Sequence, residues 1–257
     1  MKVKKLLIVL VILIFTGTAY AGLNSGLVAH YPFDGDIRDV SGNENHGVMH
    51  GTTVEEALIE DRFDNPDMAL FFDGIDDFIQ VPGDDSLDIT TGEITMCAWV
   101  NIPEFLGTGQ YYIIDSRDGL GGGYGINIDT NYFQFWIGSK TLNFLIEIPS
   151  KEWHFIVATY DSEIMNLYIN GVLTKISYLT AEFIPSLTSL FIGQYRDYKQ
   201  RFSGKMDDVR IYDRVLSEYE VKELYVIKVD PEDPPPVIVI KTQKVSGGGC
   251  FIETIGE

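Results

Sequence analysis

Residues 34–46 contain the side chains that a calcium site requires. The candidate oxygen ligands among them are Asp34, Asp39, Asn43 and Asn45. Calcium takes roughly six to eight oxygen ligands from carboxylates and carbonyls. The intervening glycine and serine residues let the backbone turn sharply and present carbonyl oxygens as well. Because ordinary Asx turns use the same residue types, the pattern leaves calcium binding and turn formation as alternatives.

Other metal chemistry is not indicated. The loop lacks the Asp-x-Asp-x-Asp-Gly run and closing Glu of an EF-hand. Zinc is disfavoured because the histidines have neither cysteine partners nor a His-Glu-x-x-His arrangement. The four histidines are His30, His46, His50 and His154.

The carboxylate pairs do not suit glycoside hydrolysis. That chemistry uses two carboxyl groups about 5–9 Å apart on either side of one bond. Asp76–Asp77 and Asp207–Asp208 are adjacent in sequence, and neighbouring residues of a strand point to opposite faces. There is no Gly-x-Ser-x-Gly nucleophile elbow either. A triad assembled from distant residues stays open, but the sequence predicts a protein that is not an enzyme.

Several tyrosines lie beside glycine-rich or charged turns, where their rings could stack on a sugar. The candidates are Tyr111, Tyr112, Tyr124, Tyr195 and Tyr198. For each ring the alternative is a place in the core or in a cross-strand pair.

The chain is strongly acidic, with a formal net charge of -19. Nucleic acid is therefore excluded as a partner, since it requires a basic surface. An acidic surface keeps an exported protein soluble and concentrates cations.

Residues 1–21 are predicted to be a secretory signal peptide. Lys2, Lys4 and Lys5 precede an apolar run over 6–15 and an Ala-x-Ala site ending at Ala21. The run is shorter than the roughly 20 residues of a spanning helix, and an uncleaved N-terminal anchor is the alternative. We therefore expect a secreted or cell-surface protein with no integral membrane segment after cleavage.

The mature chain consists of short β-branched and aromatic runs separated by turn residues. Strands are predicted at 69–72, 78–81, 94–101, 111–115, 124–128, 132–137, 154–160 and 190–194. Asn170-Gly171 between two alternating segments indicates a hairpin with a type I′ turn. This pattern predicts an all-β protein with two stacked antiparallel sheets.

One short C-terminal helix is predicted after Ser217. Ser217 and Glu220 have capping-box spacing, and Tyr219, Val221, Leu224 and Tyr225 are expected to form its apolar face.

The chain divides into four segments. These are the signal peptide at 1–21, one β-sandwich at 22–227, a proline-rich linker at 228–246 and a glycine-rich Cys-Phe-Ile tail at 247–257. The tail is expected to remain unstructured because it is short and rich in glycine. Cys97 lies in a predicted strand and is interpreted as a structural thiol rather than as half of a disulfide with Cys250.

Four stretches resemble the bacterial laminin-G-like domains of the concanavalin A-like lectin/glucanase superfamily, in that family's order. They are GLVAHYPFDG with DVSGNENHG (26–35 and 39–47), LFFDGIDDF (70–78), WHFIVATYD (153–161) with the Asn170-Gly171 hairpin, and FSGKMDDVRIYD (202–213) with Leu216-Ser217. The tail resembles the Cys-Phe-Ile box of some bacterial surface proteins, although Glu253 departs from it. Attachment through Cys250 and a plain flexible tail are therefore alternatives.

The resemblance implies a jelly-roll sandwich, often with structural Ca²⁺, in a family whose members mostly bind or adhere. It also implies that the late strand lies against the 34–46 loop, so that Asp207 or Asp208 completes the calcium shell with backbone carbonyls near Asn45 and His46. The Glu-x-Asp-x-(x)-Glu strand of the retaining glucanases is absent.

Three functions follow from these patterns. The first is an extracellular recognition module that binds a glycan or a surface protein, stabilised by calcium. The alternatives are a glycoside hydrolase-like enzyme with an unrecognised site and a purely structural surface protein.

Overall fold

A computed structural model describes residues 22–103, 110–129, 132–145, 148–181, 184, 186, 188–196 and 200–226, and the backbone of 240–244 and 250–254. The predicted signal peptide, most of the predicted linker and Tyr198 lie outside these residues. Within the described part, no helix is both long and apolar enough to cross a membrane.

The described chain is almost entirely β-structure. The first nine strands are β1 (Leu27–Tyr31), β2 (Val48–His50), β3 (Leu58–Ile59), β4 (Ala69–Asp73), β5 (Phe78–Val81), β6 (Ile94–Asn101), β7 (Gln110–Asp115), β8 (Tyr124–Asp129) and β9 (Tyr132–Ile137). The others are β10 (Lys140–Leu145), β11 (Trp153–Tyr160), β12 (Ile164–Ile169), β13 (Val172–Tyr178), β14 (Leu190–Ile192), β15 (Ser203–Tyr212), β16 (Ile240–Lys244) and β17 (Cys250–Thr254). The helices are α1 (Val54–Ala57), a 3-10 turn (Asp85–Leu87) and α2 (Glu218–Val226).

Two antiparallel sheets make up the domain, which confirms the predicted all-β sandwich. The eight-stranded sheet has the order β13-β12-β11-β6-β15-β4-β3, and β1 pairs with β15. The seven-stranded sheet has the order β10-β9-β8-β7-β14-β5-β2. Consecutive strands pair in runs such as β13-β12-β11 and β10-β9-β8-β7, but strands distant in sequence are also neighbours, as in β6 beside β15. The architecture therefore depends on long-range pairing as well as on local hairpins.

Alternation along the strands fills the space between the sheets. In β9, Phe133 and Phe135 are fully buried in the core, whereas the intervening Gln134 is only partly buried. The same period of two runs through β8, where Ile126 and Ile128 point inward. The inward residues form one continuous hydrophobic core, and the outward residues are free to serve another purpose.

A second, smaller core covers part of the outer side of the eight-stranded sheet. Helix α2 packs Val221 and Leu224 against Trp99 and Phe155. The predicted capping box is present, since the Ser217 hydroxyl accepts from the Glu220 N–H and the Glu220 carboxylate accepts from the Ser217 N–H.

One residue of the predicted helix face is placed differently. Tyr219 is 58% exposed, because it lies on the side of α2 that faces away from the sheet. Tyr225 does pack on this second core, with its ring 5.5 Å from that of Trp99.

The predicted hairpin is present between β12 and β13. Asn170 and Gly171 both have positive φ, at 51° and 75°, as a type I′ turn requires. A side chain at position 171 would also press against Tyr225, because a Cβ there would lie 3.2 Å from that ring.

The C-terminal segment contains a pairing that the sequence does not predict. The backbone of β16 pairs antiparallel with that of β17, from Ile240 opposite Thr254 to Lys244 opposite Cys250. The division into a linker at 228–246 and a tail at 247–257 stays a prediction.

The core predicts a large cost for truncating an inward ring of β9. Phe135→Ala should reduce the free energy of unfolding by about 3–5 kcal/mol, because it removes a fully buried ring and leaves a cavity. Urea denaturation of residues 22–227 measures it. Tyr132→Ala on the same strand is the control, since Tyr132 is 42% exposed, and an equal loss in both variants would contradict the assigned faces.

Candidate functional site

The predicted calcium loop is organised around the carboxylate of Asp39. That carboxylate is buried and accepts hydrogen bonds from the backbone N–H groups of His30, Ser41 and Asn45 at 2.9–3.0 Å. It also accepts from the Ser41 hydroxyl at 2.8 Å. Four donors therefore surround this carboxylate, in the manner of an Asx turn.

The two asparagines of the loop tie it to β1. The side-chain amide of Asn43 donates to the carbonyls of Leu27 and Val28 at 3.1 and 2.9 Å. That of Asn45 donates to Val28 at 3.1 Å, and the Asn45 carbonyl accepts from the Tyr31 hydroxyl at 2.7 Å.

His46 lies on the same loop and is exposed. Its Nδ1 accepts from the Asp39 N–H at 3.2 Å.

Asp207 and Asp208 belong to separate ion pairs. Asp207 pairs with Arg62, whose guanidinium lies 4.3 Å from the ring of Trp99. Asp208 pairs with Arg210 at 2.9 Å and with His30 at 2.7 Å. Burial raises the pKa of Asp208, but the hydrogen bond from His30 and the charge of Arg210 outweigh it and hold the pKa well below its ordinary value.

A bulge changes the expected directions of these two carboxylates. The pairing of β15 with β6 shifts register between Asp207 and Arg210, and Asp208 has a φ of 52°. Both carboxylates consequently lie on the outer side of the eight-stranded sheet. Simple alternation predicts opposite faces, and it fails because a bulge inserts an extra residue into the strand.

Asp34 is exposed and lies at a different point from the Asp39 carboxylate. It shares a surface pocket of about 360 Å³ with His30, Asp36, Asp208 and Arg210. The structure therefore brings Asp34 near Asp208, while Asp39 and Asp207 are engaged elsewhere.

The carboxylates of Asp39, Asp207 and Asp208 are stabilised by hydrogen-bond donors of the protein itself. A calcium ion at the loop would have to displace backbone N–H groups from Asp39, or Arg210 and His30 from Asp208. Because these acidic side chains are already charge-compensated or hydrogen-bonded, this donor set does not fit a single cation, and calcium stays a prediction of the sequence.

The loop geometry predicts a calcium-independent role for Asp39. Asp39→Ala should lower the melting temperature by several degrees, because four hydrogen bonds to one buried carboxylate are lost. Thermal unfolding with calcium and with a chelator measures it, and the drop should be the same in both. A wild-type melting temperature that rises with calcium, with the rise lost in Asp39→Ala, would instead place an ion in the loop.

A second acidic group lies at the β4–β5 turn. Carboxylate oxygens of Asp73, Asp76 and Asp77 lie within 4.8 Å of one another. Asp73 accepts from the N–H groups of Ile75 and Asp76 at 2.7 and 3.3 Å, so these carboxylates shape the turn.

The predicted sugar-binding tyrosines fall in different environments. Tyr124 is fully buried in the core, and its hydroxyl donates to the Leu87 carbonyl at 3.1 Å. Tyr111 packs on the core from the side, edge-on to Phe202. Tyr198 lies outside the described residues. Tyr112 and Tyr195 come together, with stacked rings 5.0 Å apart.

Those two tyrosines belong to the outer face of the seven-stranded sheet. The strand registers place a set of polar and aromatic side chains on this face. They are Thr141, Asn143, Gln134, Trp136, Asn127, Tyr112, Asp115, Phe191, Phe78, Gln80 and His50. With about 4.8 Å between strands, the row from β9 to β2 is on the order of 24 Å long.

At the centre of this face, Arg117 is enclosed by aromatic rings. Its guanidinium carbon lies 4.0 Å from the ring centroid of Trp136, 4.5 Å from that of Tyr195 and 5.4 Å from that of Tyr112. Arg117 is only 8% exposed. Cation–π attraction of this kind strengthens when the cation is desolvated.

Arg117 forms an ion pair with Asp115 of β7. Its Nε donates to the Asp115 carboxylate, which is fully buried. Burial raises the pKa of Asp115 to about 7, although the charge of Arg117 acts in the opposite direction. The desolvation of the carboxylate thus outweighs its attraction to the arginine.

Two further features keep this centre in place. Asn127 accepts from the Trp136 indole at 2.9 Å and donates to Gln134 at 2.9 Å, which fixes the indole ring. Gly125 lies in register between Asp115 and Trp136. A Cβ there would lie 2.9 Å from the Ile114 carbonyl oxygen, so the lack of a side chain permits the close packing.

A second aromatic group lies towards β2 on the same face. His50 stacks on Phe78 with ring centroids 4.5 Å apart, and the Arg201 guanidinium lies 5.2 Å from the Phe78 ring. The face therefore repeats a combination of ring and guanidinium at two places.

Arg117, Asp115 and Trp136 are not among the site residues predicted from the sequence. A signal for Trp136 is present, because Tyr-Phe-Gln-Phe-Trp-Ile at 132–137 alternates large apolar residues with Gln134 and Trp136. Arg117 follows a strand and has no local pattern, so only the three-dimensional register shows its neighbours.

The two antiparallel sheets define the chain as an all-β sandwich. A model of the concanavalin A-like lectin/glucanases superfamily, of laminin-G type, matches residues 73–222, which is more than half of the chain. The chain belongs to this superfamily. No curated protein matches it.

Several solved structures share the fold. The receptor binding domain of botulinum neurotoxin C/D mosaic serotype superposes with a TM-score of 0.65 at 15% identity, covering 80% of this chain and 52% of that one. The binding domain of Paraclostridial Mosquitocidal Protein 1 gives 0.63 at 18%, covering 78% and 52%. The receptor binding domain of botulinum neurotoxin D gives 0.61 at 16%, covering 79% and 52%. This chain thus spans about half the length of each, and the likeness is one of fold.

The raised pKa of Asp115 predicts a pH-dependent stability. The folded state holds the Asp115 proton more tightly than the unfolded chain does, so this contribution is complete below about pH 4 and is lost as the pH rises to about 7. Relative to Asp115→Asn, the wild type should lose at most about 4 kcal/mol over that window. Urea denaturation of both proteins between pH 4 and 8 measures it, and a difference that does not change with pH would contradict the burial argument.

Proposed function

We propose that this chain is an extracellular recognition module that binds a glycan on the outer face of the seven-stranded sheet. The observation that carries the proposal is the row of rings, amides and guanidinium groups on that face. The predicted signal peptide supports export, and no catalytic carboxylate pair is needed for this role.

The two outer faces differ in what lies over them. Helix α2 packs on the outer side of the eight-stranded sheet around Trp99 and Phe155. On the seven-stranded sheet, no described helix packs over the row from Trp136 to Phe78, and both of these rings are partly exposed. A partly exposed aromatic ring on a rigid strand is a preformed stacking surface.

The polar groups of the face complement sugar hydroxyls. Asn143 presents an exposed amide that can both donate and accept. The amides of Gln134 and Gln80 lie on the same face, where Gln134 accepts from Asn127 and Gln80 donates to Ser189. The indole of Trp136 is already oriented by Asn127, so binding would not require that ring to lose further conformational freedom. The face is therefore preorganised for a ligand that offers both apolar ring faces and hydroxyl groups.

The structural neighbours agree with a binding role. The proteins of similar fold are described as receptor binding or binding domains. A surface protein carrying glycans and a free polysaccharide both present the chemistry proposed, and the net charge of -19 disfavours nucleic acid.

Trp136 is predicted to be the main contact. Trp136→Ala should weaken binding of the best glycan-array ligand by about 2 kcal/mol, or roughly thirtyfold in Kd, because it removes a preorganised ring. Isothermal titration calorimetry with purified residues 22–227 measures the change.

Tyr178→Ala is the matched control. Tyr178 is 81% exposed but lies on β13 at the edge of the other sheet, so its removal should leave the Kd unchanged. If Tyr178→Ala weakens binding and Trp136→Ala does not, the ligand binds elsewhere, and if no array glycan binds, the glycan proposal fails.

A further inference from the structure

Arg117 is left with an unused hydrogen-bond donor at the centre of the outer face. Its Nη2 is buried and has no hydrogen-bond partner among the residues that the structure describes. The rings around it attract the cation through their π faces, which accept hydrogen bonds poorly, and the hydrogen bond between Arg117 and the Tyr112 side chain leaves Nη2 without a partner. A buried guanidinium N–H without an acceptor is costly, so this atom indicates a ligand oxygen that the described residues do not supply.

From this geometry we propose that the outer face selects glycans that carry an oxyanion, a carboxylate or a sulfate ester, with Arg117 as its receptor. This inference rests on the proposed glycan binding and narrows it to a chemical class. Arg117 contacts the charged substituent, while Trp136 stacks on the sugar ring beside it.

The chemistry of the donor favours an oxyanion over a neutral hydroxyl. Arg117 donates to Asp115, and the charge of Arg196 acts on both Asp115 and Asp118. Phe191 and Gly125, which lie opposite Asp115 on the neighbouring strands, add no charge. An oxyanion is favoured because Nη2 belongs to a charged guanidinium, whose hydrogen bonds to anions are stronger than those to neutral oxygens.

The long-range charge of the chain does not cancel this centre. At physiological ionic strength the Debye length is about 8 Å, so carboxylates across the domain are largely screened. A desolvated guanidinium close to the ligand is screened much less. Charge-assisted hydrogen bonds from arginine to an oxyanion are roughly twice as strong as neutral ones.

Of the three rings around Arg117, that of Tyr195 is the one that no strand holds. Tyr195 lies beyond β14, outside any strand, and its N–H donates to the Gln200 carbonyl at 3.1 Å. Trp136, by contrast, is fixed on β9. A ligand that displaces the Tyr195 ring can reach the unpaired Nη2 while the Trp136 ring stays in place.

The test compares sugar polymers that differ only in charge, at 0.15 M salt and pH 7. Sodium polygalacturonate should bind the mature chain, residues 22–257, at least about tenfold more tightly than fully methyl-esterified polygalacturonate. Dextran sulfate against dextran forms the sulfate arm and shows which oxyanion is preferred. Binding is measured by calorimetry or biolayer interferometry.

Two variants assign the charge preference to Arg117. Arg117→Met should reduce the ratio between charged and uncharged polymer to about one, and Arg117→Lys should restore it only in part, because an ammonium lacks the planar fork of a guanidinium. Circular dichroism establishes that both variants fold. Since the wild-type comparison needs no variant, the proposal can be tested even if these variants do not fold.

The outcomes separate this inference from the proposed function. Equal binding of charged and uncharged polymers, lost in both cases with Trp136→Ala, would overturn the oxyanion selection and leave glycan binding in place. A charge preference that survives in folded Arg117→Met would overturn the role of Arg117. Binding of no polymer in any arm, together with no glycan-array ligand, would overturn both proposals.

Discussion

The packing of the two sheets against each other constrains everything else in this domain. Each strand of the seven-stranded sheet directs alternate residues into a shared core, as Phe133, Phe135 and Ile137 do on β9. The core fixes the register, and the register decides which residues face outward. Gln134 and Trp136 are therefore held on a rigid surface by the burial of their neighbours, and a one-residue slip would bury them.

The two outer faces carry similar ion pairs but differ in what covers them. On the eight-stranded sheet, Arg62 pairs with Asp207 and lies against Trp99, and α2 packs on the same side. On the seven-stranded sheet, Arg117 pairs with Asp115 and lies against Trp136, and no described helix packs over that ring. This difference in covering is the physical basis for the proposal that recognition lies on the seven-stranded sheet.

The fold was largely predictable because it depends on local patterns. β6 and β9 have the predicted bounds, and Asn170-Gly171 forms the predicted turn. The site was less predictable because it depends on tertiary register. Tyr124 and Tyr195 both lie near glycines or charges in sequence, yet one is in the core and the other covers Arg117. Composition could not show that Asp39 is saturated by backbone donors, nor that a bulge directs Asp208 towards Arg210.

The chain has three tryptophans, and their positions allow a direct test of the binding face. Trp99 lies beneath α2 and Trp153 begins β11, both on the eight-stranded sheet, while Trp136 alone lies on the outer face of the other sheet. A glycan that binds the protein is titrated into a ¹⁵N-labelled sample. The indole resonance of Trp136 should shift in proportion to saturation, and those of Trp99 and Trp153 should stay unchanged. A shift at Trp99 or Trp153 with a stationary Trp136 signal would contradict the assignment of the binding face.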